Sequence, residues 1–134
     1  MQTWTLIRFV HVTAAAAWLG MQVALFVLVP ALRRLLPAEE VRTVVRAAGV
    51  RLAVVAAVAL PTLLASGIAL ARHESSAKAH PGVVGLKEAI MVAMVVLLGG
   101  HAYVRGRNAR LAASALMLAL TLAAILAGAW LTQS

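Results

Sequence analysis

Few side chains in this sequence can do chemistry, and most of those lie inside apolar runs. Between Pro81 and Arg110 the chain reads PGVVGLKEAIMVAMVVLLGGHAYVRGRNAR, with Lys87, Glu88 and His101 set within it. The run is apolar for about 22 residues, enough for a helix to cross a hydrocarbon core of ~30 Å. Ionisable groups at membrane depth are costly, so each is a candidate functional group. Lys87, Met91, Met94, Leu98 and His101 recur at helical spacing and fall on one face. Early in the first apolar run, Arg8 and His11 stand one turn apart.

Two chemistries suit this set. Thioether and imidazole groups without thiolates match the soft cation Cu(I). In that arrangement His11 is an outer ligand, Met21, Met94 and Met117 form a middle relay near the midplane, and His101 is an inner ligand. Lys87 and Glu88 set the local charge. The alternative is haem b in the bundle core, with His11 as an axial ligand and Arg8, Arg72 or Lys87 pairing the propionates. With a rise of ~1.5 Å per residue, His11 and Lys87 lie at similar depth, while His11 and His101 are ~18–20 Å apart. His11 and His101 are therefore not the two axial ligands of one haem; a bis-histidine site requires His73 or His80 to fold inward. Each group also has a plain structural reading. Methionines fill apolar faces, His11 can bond Ser66 or a backbone carbonyl, and Lys87 can pair with Glu88 or snorkel to the surface. The sequence has no aspartate, and no nucleophile–base pair, phosphate loop or zinc motif is present.

The elements that must position these groups follow from composition. Hydrophobic residues make up 63% of the 134, charged residues 12%, and there is no cysteine. Disulfides and thiolate metal sites are thereby excluded. So apolar a chain points to an integral membrane fold. The net charge of +8 comes from bases clustered between apolar runs, which the positive-inside rule explains without nucleic acid. Four helices are expected, at about 4–29, 52–71, 82–104 and 111–131, in one domain over 1–134. The first is read as a span and not as a cleaved leader. Pro30 is expected to end helix 1. Residues 31–50 form the first loop, with an amphipathic lead-in near the headgroups. Pro61 is expected to kink helix 2, with Thr62 and Ser66 satisfying the freed groups. Gly67 lets a neighbour approach closely. Residues 73–80 form a polar loop. Ala115, Ala119, Ala123 and Ala127 give helix 4 a smooth face for a bundle neighbour or a second protomer. Trp4 and Trp130 sit where interfacial aromatics belong. The basic loops face the cytoplasm, so the all-α bundle is up-down-up-down with both termini outside, in the inner membrane. Helix 1, helix 3, the 73–80 loop and Ser66 then assemble an outer polar cluster.

Helix 1, RFVHVTAAAAWLGMQVALFVLVPALRR, carries His11, Trp18, Gly20 and Pro30 followed by bases, and Lys87 precedes His101 by fourteen residues. This pattern resembles the copper resistance D (CopD) family of membrane domains along essentially the whole chain. The resemblance implies a four-helix inner-membrane domain linked to copper movement, with His11, Lys87 and His101 in its polar pattern. The chain is also similar, more faintly, to the haem-binding HemJ proteins. They too pair a helix 1 histidine before Trp-x-Gly with a lysine opening helix 3, though with a closer downstream histidine. Larger CopD proteins have additional helices. The resemblance therefore also implies a homodimer or a larger membrane complex, and a cofactor-free accessory subunit is a third reading.

Overall fold

The computed structural model describes residues 3–101, 106–131 and 133, and for Ser75, Ser76, His101 and Arg107 the backbone alone. It contains α1 (Thr3–Leu35), α2 (Ala38–His73), α3 (Ser75–Ala79), α4 (Pro81–His101) and α5 (Arg107–Leu131). No strand occurs among the described residues. α1, α2, α4 and α5 are each long and apolar enough to cross a membrane. Much of their apolar surface points outward: Phe9, Val58, Val96 and Leu126 are all exposed. In water that surface would be strongly unfavourable, whereas lipid accepts it. The chain has the build of a multi-pass membrane protein.

Several expected boundaries moved, among them the start of α5, at Arg107 and not 111. α1 runs through Pro30 to Leu35. A proline removes one backbone donor and disfavours helix before it, but neighbours can hold the helix together. The break falls instead at Leu36–Pro37, where Leu36 N–H still reaches the Leu32 carbonyl at 2.9 Å and Pro37 turns extended. The expected 31–50 loop is thus not a loop. Its amphipathic lead-in is the first part of α2 and continues straight into the span. Val41 is buried on this stretch, while Arg42 pairs with Glu39 on the exposed side. An exposed i,i+3 pair of this kind contributes little.

α2 also continues through Pro61. The Thr62 hydroxyl bonds the Val58 carbonyl at 2.7 Å, and Ser66 Oγ bonds the Thr62 carbonyl. Both hydroxyls therefore serve the backbone around the proline, although the carbonyl it crowds is that of Ala57. The expected polar loop at 73–80 is shorter than a loop. His73 closes α2, α3 makes one turn with Ala77 buried, and Pro81 opens α4. The expected end of the third long helix near Val104 lies outside the described residues.

α1 packs along α2, α4 along α5, and the two pairs meet chiefly through α1 and α5. The start of α1 meets the end of α2 where Trp4 stacks on His73, with ring centroids 3.6 Å apart. The start of α4 meets the end of α5 where His80 sits edge-on to Trp130 at 4.9 Å. Both expected interfacial tryptophans thus stand at one rim of the molecule. The core is Trp18, Ala56, Ala59, Leu60, Leu63 and Met117, with Met21 and Met91 packed against it. On α5 the inward face carries Met117, Thr121 and Leu131, all buried. The alanine stripe lies elsewhere: Ala115, Ala119 and Ala123 are exposed, and only Ala127 is half-buried.

Candidate functional site

The two helix pairs repeat one register. On α1 the rim residue Trp4 is followed after seven residues by His11 and after seven more by Trp18. Just ahead of α4 the rim residue His80 is followed at the same spacings by Lys87 and Met94. Seven residues are close to two helical turns, so each triplet runs down one face with a step of ~10 Å. The result is two polar layers inside the bundle, one below the other.

The upper layer centres on His11. Its Nδ1 lies 2.8 Å from Ser66 Oγ. The single hydroxyl proton of Ser66 is directed at backbone carbonyls, those of Thr62 and, at 3.3 Å, Leu63. A carbonyl can only accept, so Nδ1–H is the donor to Ser66 Oγ and Nε2 carries the lone pair. The ring is also within hydrogen-bonding reach of the Leu63 backbone. The ring fits because α2 has glycine at 67: a Cβ there would lie 3.3 Å from Cε1. Lys87 fits against α5 in the same manner, since a Cβ on Gly128 would lie 3.1 Å from Nζ.

Lys87 and Glu74 both lie within electrostatic reach of the imidazole, and Glu74 within reach of Lys87. Glu74 accepts from Arg8 Nη2 at 2.6 Å, with its side chain 20% exposed against 62% for the arginine. Lys87 makes no hydrogen bond or close ion pair among the described residues. The layer therefore holds two basic side chains and an imidazole against one carboxylate.

The lower layer centres on Thr121. Its hydroxyl accepts from Trp18 Nε1 at 3.1 Å and from Gln22 Nε2 at 2.9 Å. It lies 2.9 Å from the Met117 carbonyl and 3.3 Å from Met94 Sδ. A hydroxyl has one proton, and sulfur is the weaker acceptor, so the carbonyl takes it and Met94 Sδ rests in contact. Trp18 and Met94 are the most enclosed large side chains, 1% and 2% exposed. Gln22 Oε1 is buried without a partner.

The expected outer cluster thus assembles from Arg8, His11, Lys87 and Ser66, with the Gly67 contact as anticipated. Glu88 does not join it. Adjacent helical residues point about 100° apart, so an inward Lys87 turns Glu88 outward, where it is exposed. The carboxylate of the cluster is Glu74, expected to cap this end from the 73–80 segment. His73 and His80 are occupied by the rim tryptophans, and Arg72 is exposed. Met21 and Met117 come to one core, while Met94 is buried with its Sδ in contact with the Thr121 hydroxyl. The His101 side chain, the expected inner ligand, lies outside the described residues. Among the described residues no three His, Asp or Glu side chains converge as a metal-binding set. Gln22 and Thr121 were missed, although Trp18 and Gln22 continue the His11 face at seven and eleven residues.

Fold and site together define a four-span helical membrane protein with a basic, imidazole-bearing layer above a neutral hydrogen-bonded one. Compared with protein families, curated proteins and solved structures, the chain gives no significant match.

The two glycine contacts predict opposite outcomes on substitution. In Gly67→Ala the new methyl meets a ring fixed by Ser66, so His11 must shift by a few tenths of an ångström and the upper layer is disturbed. In Gly128→Ala it meets the end of a flexible lysine, which can move aside. Alanine is the better helix former by ~1 kcal/mol. Gly128→Ala is therefore expected to keep or raise the melting temperature in detergent. Gly67→Ala is expected to perturb the His11 imidazole resonances.

Proposed function

We propose that the protein binds haem b in the upper layer, with His11 as an axial ligand through Nε2 and Lys87 as a partner for a propionate. The observation that carries this reading is the His11–Ser66 hydrogen bond, which fixes the tautomer and leaves Nε2 as the ligating nitrogen. Charge decides between the two cofactors the residues suit. Two bases and one carboxylate favour a ligand bearing carboxylates and disfavour a bare cation beside Lys87. Bound there, haem would supply one-electron chemistry. The chain's own contribution is to orient the imidazole through Ser66, place an ammonium against Gly128, and close the rim above with Trp4–His73 and Arg8–Glu74. In this reading the bundle is up-down-up-down in the inner membrane, with both termini and the rim outside, since the arginine-rich end belongs to the cytoplasm.

The absorption spectrum of detergent-purified protein tests the proposal. A Soret band, or its appearance on titration with haemin, is expected. Lys87→Met is expected to weaken haem retention several-fold while the histidine-ligated spectrum persists. Protein that stays colourless and leaves the haemin spectrum unchanged would sink the reading.

Copper is the second reading, favoured by Met21 and Met117 at one core and by Met94 buried against Thr121, which bonds the Met117 carbonyl. Colourless protein that binds Cu(I), and loses it in a Met21/Met94 double variant, selects it. Metal-free protein that co-purifies with a larger assembly, or with a second copy, selects the accessory-subunit reading.

A further inference from the structure

The α1–α2 pair is longer than a membrane core is thick, and the surplus lies at one end. The Trp4–His73 stack sets α1 and α2 at a common level at the rim. Measured down from these residues at ~1.5 Å per residue, α1 reaches ~46 Å and α2 ~52 Å. The pair therefore overhangs a hydrocarbon core of ~30 Å by more than ~10 Å at the end away from the rim.

The overhang is basic. By the same rise Arg51 lies ~33 Å below the rim, Arg46 ~40 Å, Arg42 ~46 Å, and Arg33 and Arg34 ~44–45 Å. A hydrocarbon core is ~30 Å thick and the bilayer with its headgroups ~40–45 Å. These arginines are spread from the far edge of the hydrocarbon across the headgroup layer. Glu39 is taken by Arg42, and Glu40 is the only other acid on this part of the chain. Arg33, Arg34, Arg46 and Arg51 form no ion pair among the described residues. Between them stand apolar side chains turned outward, Leu35 at 79% exposed and Val50 at 67%.

We infer that this overhang is a binding surface for anionic phospholipid, with the guanidinium groups on headgroup phosphates and the exposed leucine and valine against the upper acyl chains. Charge and level both argue for lipid. The unpaired guanidiniums lie where phosphodiesters are the concentrated anion, and arginine forms paired hydrogen bonds to phosphate oxygens. An acidic protein would have to compete there with the whole leaflet. The surface is separate from the His11 layer and does not depend on what that layer binds.

The test is lipid competition on the full chain by native mass spectrometry, with phosphatidylglycerol against phosphatidylcholine. A preference for phosphatidylglycerol is expected, reduced about tenfold or more when Arg33, Arg34, Arg46 and Arg51 are all changed to Gln. The wild type in nanodiscs should melt higher with phosphatidylglycerol than with phosphatidylcholine alone, by a margin that shrinks with salt. Inorganic phosphate added to phosphatidylcholine nanodiscs should not reproduce the shift. Should the fourfold variant not fold, Arg46→Gln and Arg51→Gln singly must each lower the preference. Equal affinity for the two lipids, a variant that keeps the wild-type preference, or an acidic protein whose retention is lost in place of lipid would each overturn the inference.

Discussion

His11→Ala protein is expected to emerge without a Soret band under conditions where the wild type carries one, and to melt within a few degrees of it. The loss should be near complete because, among the described side chains, no second histidine is placed to substitute. His73 and His80 are committed to Trp4 and Trp130 at the rim, about two turns above. Ser66→Ala separates ligation from orientation. It keeps the imidazole but removes the acceptor for Nδ1–H, so the ring is free to change tautomer and rotate. Partners of this kind typically contribute 10–100-fold to the affinity of a metal site. Titration with haemin should therefore give weaker binding for Ser66→Ala with a histidine-ligated spectrum retained. If Ser66→Ala and wild type bind alike, the hydrogen bond is structural only and the tautomer argument fails. If His11→Ala keeps the full Soret band, His11 is not the ligand.

The parts of this molecule that were legible in the sequence are those governed by local rules. Apolar runs of about twenty residues identify spans, because lipid leaves a helix few alternatives. Counting depth from the rim brought His11, Lys87 and Ser66 together correctly, because helical rise is nearly constant. Pro30 departs from its local rule and sits inside continuous helix, whereas Pro61 lies within α2 with the Thr62 and Ser66 hydroxyls on backbone carbonyls, as expected. Glu88 was assigned to the cluster from its position in the sequence, but rotation about the helix axis, not depth, decides which of two adjacent residues faces inward. Glu74 is expected at this end from the 73–80 segment, but its pairing with Arg8 depends on where α2 ends and α3 turns back, which spacing does not give. Thr121 and Gln22 are uncharged and easily passed over in apolar runs. Their meeting depends on the rotation of α5 against α1, which no single-helix pattern contains.

That meeting supports the largest stability effect expected here. Thr121→Val keeps the side-chain shape and removes the hydroxyl, leaving Trp18 Nε1 and Gln22 Nε2 as buried donors without an acceptor. Each such bond between membrane helices contributes ~0.6–2 kcal/mol, and an orphaned buried donor costs ~1–3 kcal/mol. A loss of about 2–4 kcal/mol in reversible unfolding from mixed micelles is expected. Removing a partner as well should restore part of it, because two apolar groups of similar shape can replace a hydrogen-bonded pair at little cost. In a Gln22→Leu background, Thr121→Val should therefore cost clearly less than in the wild type. Full additivity would mean that the two side chains do not share the bond. The consequence reaches the upper layer. α1 brings His11 and α4 brings Lys87, yet the two helix pairs meet chiefly through the α1–α5 seam that Thr121 ties. Loosening that seam lets the imidazole and the ammonium separate. Thr121→Val should thus lower haem retention from about two turns below the site, with the ligand set untouched, and the Gln22→Leu background should recover stability and retention together.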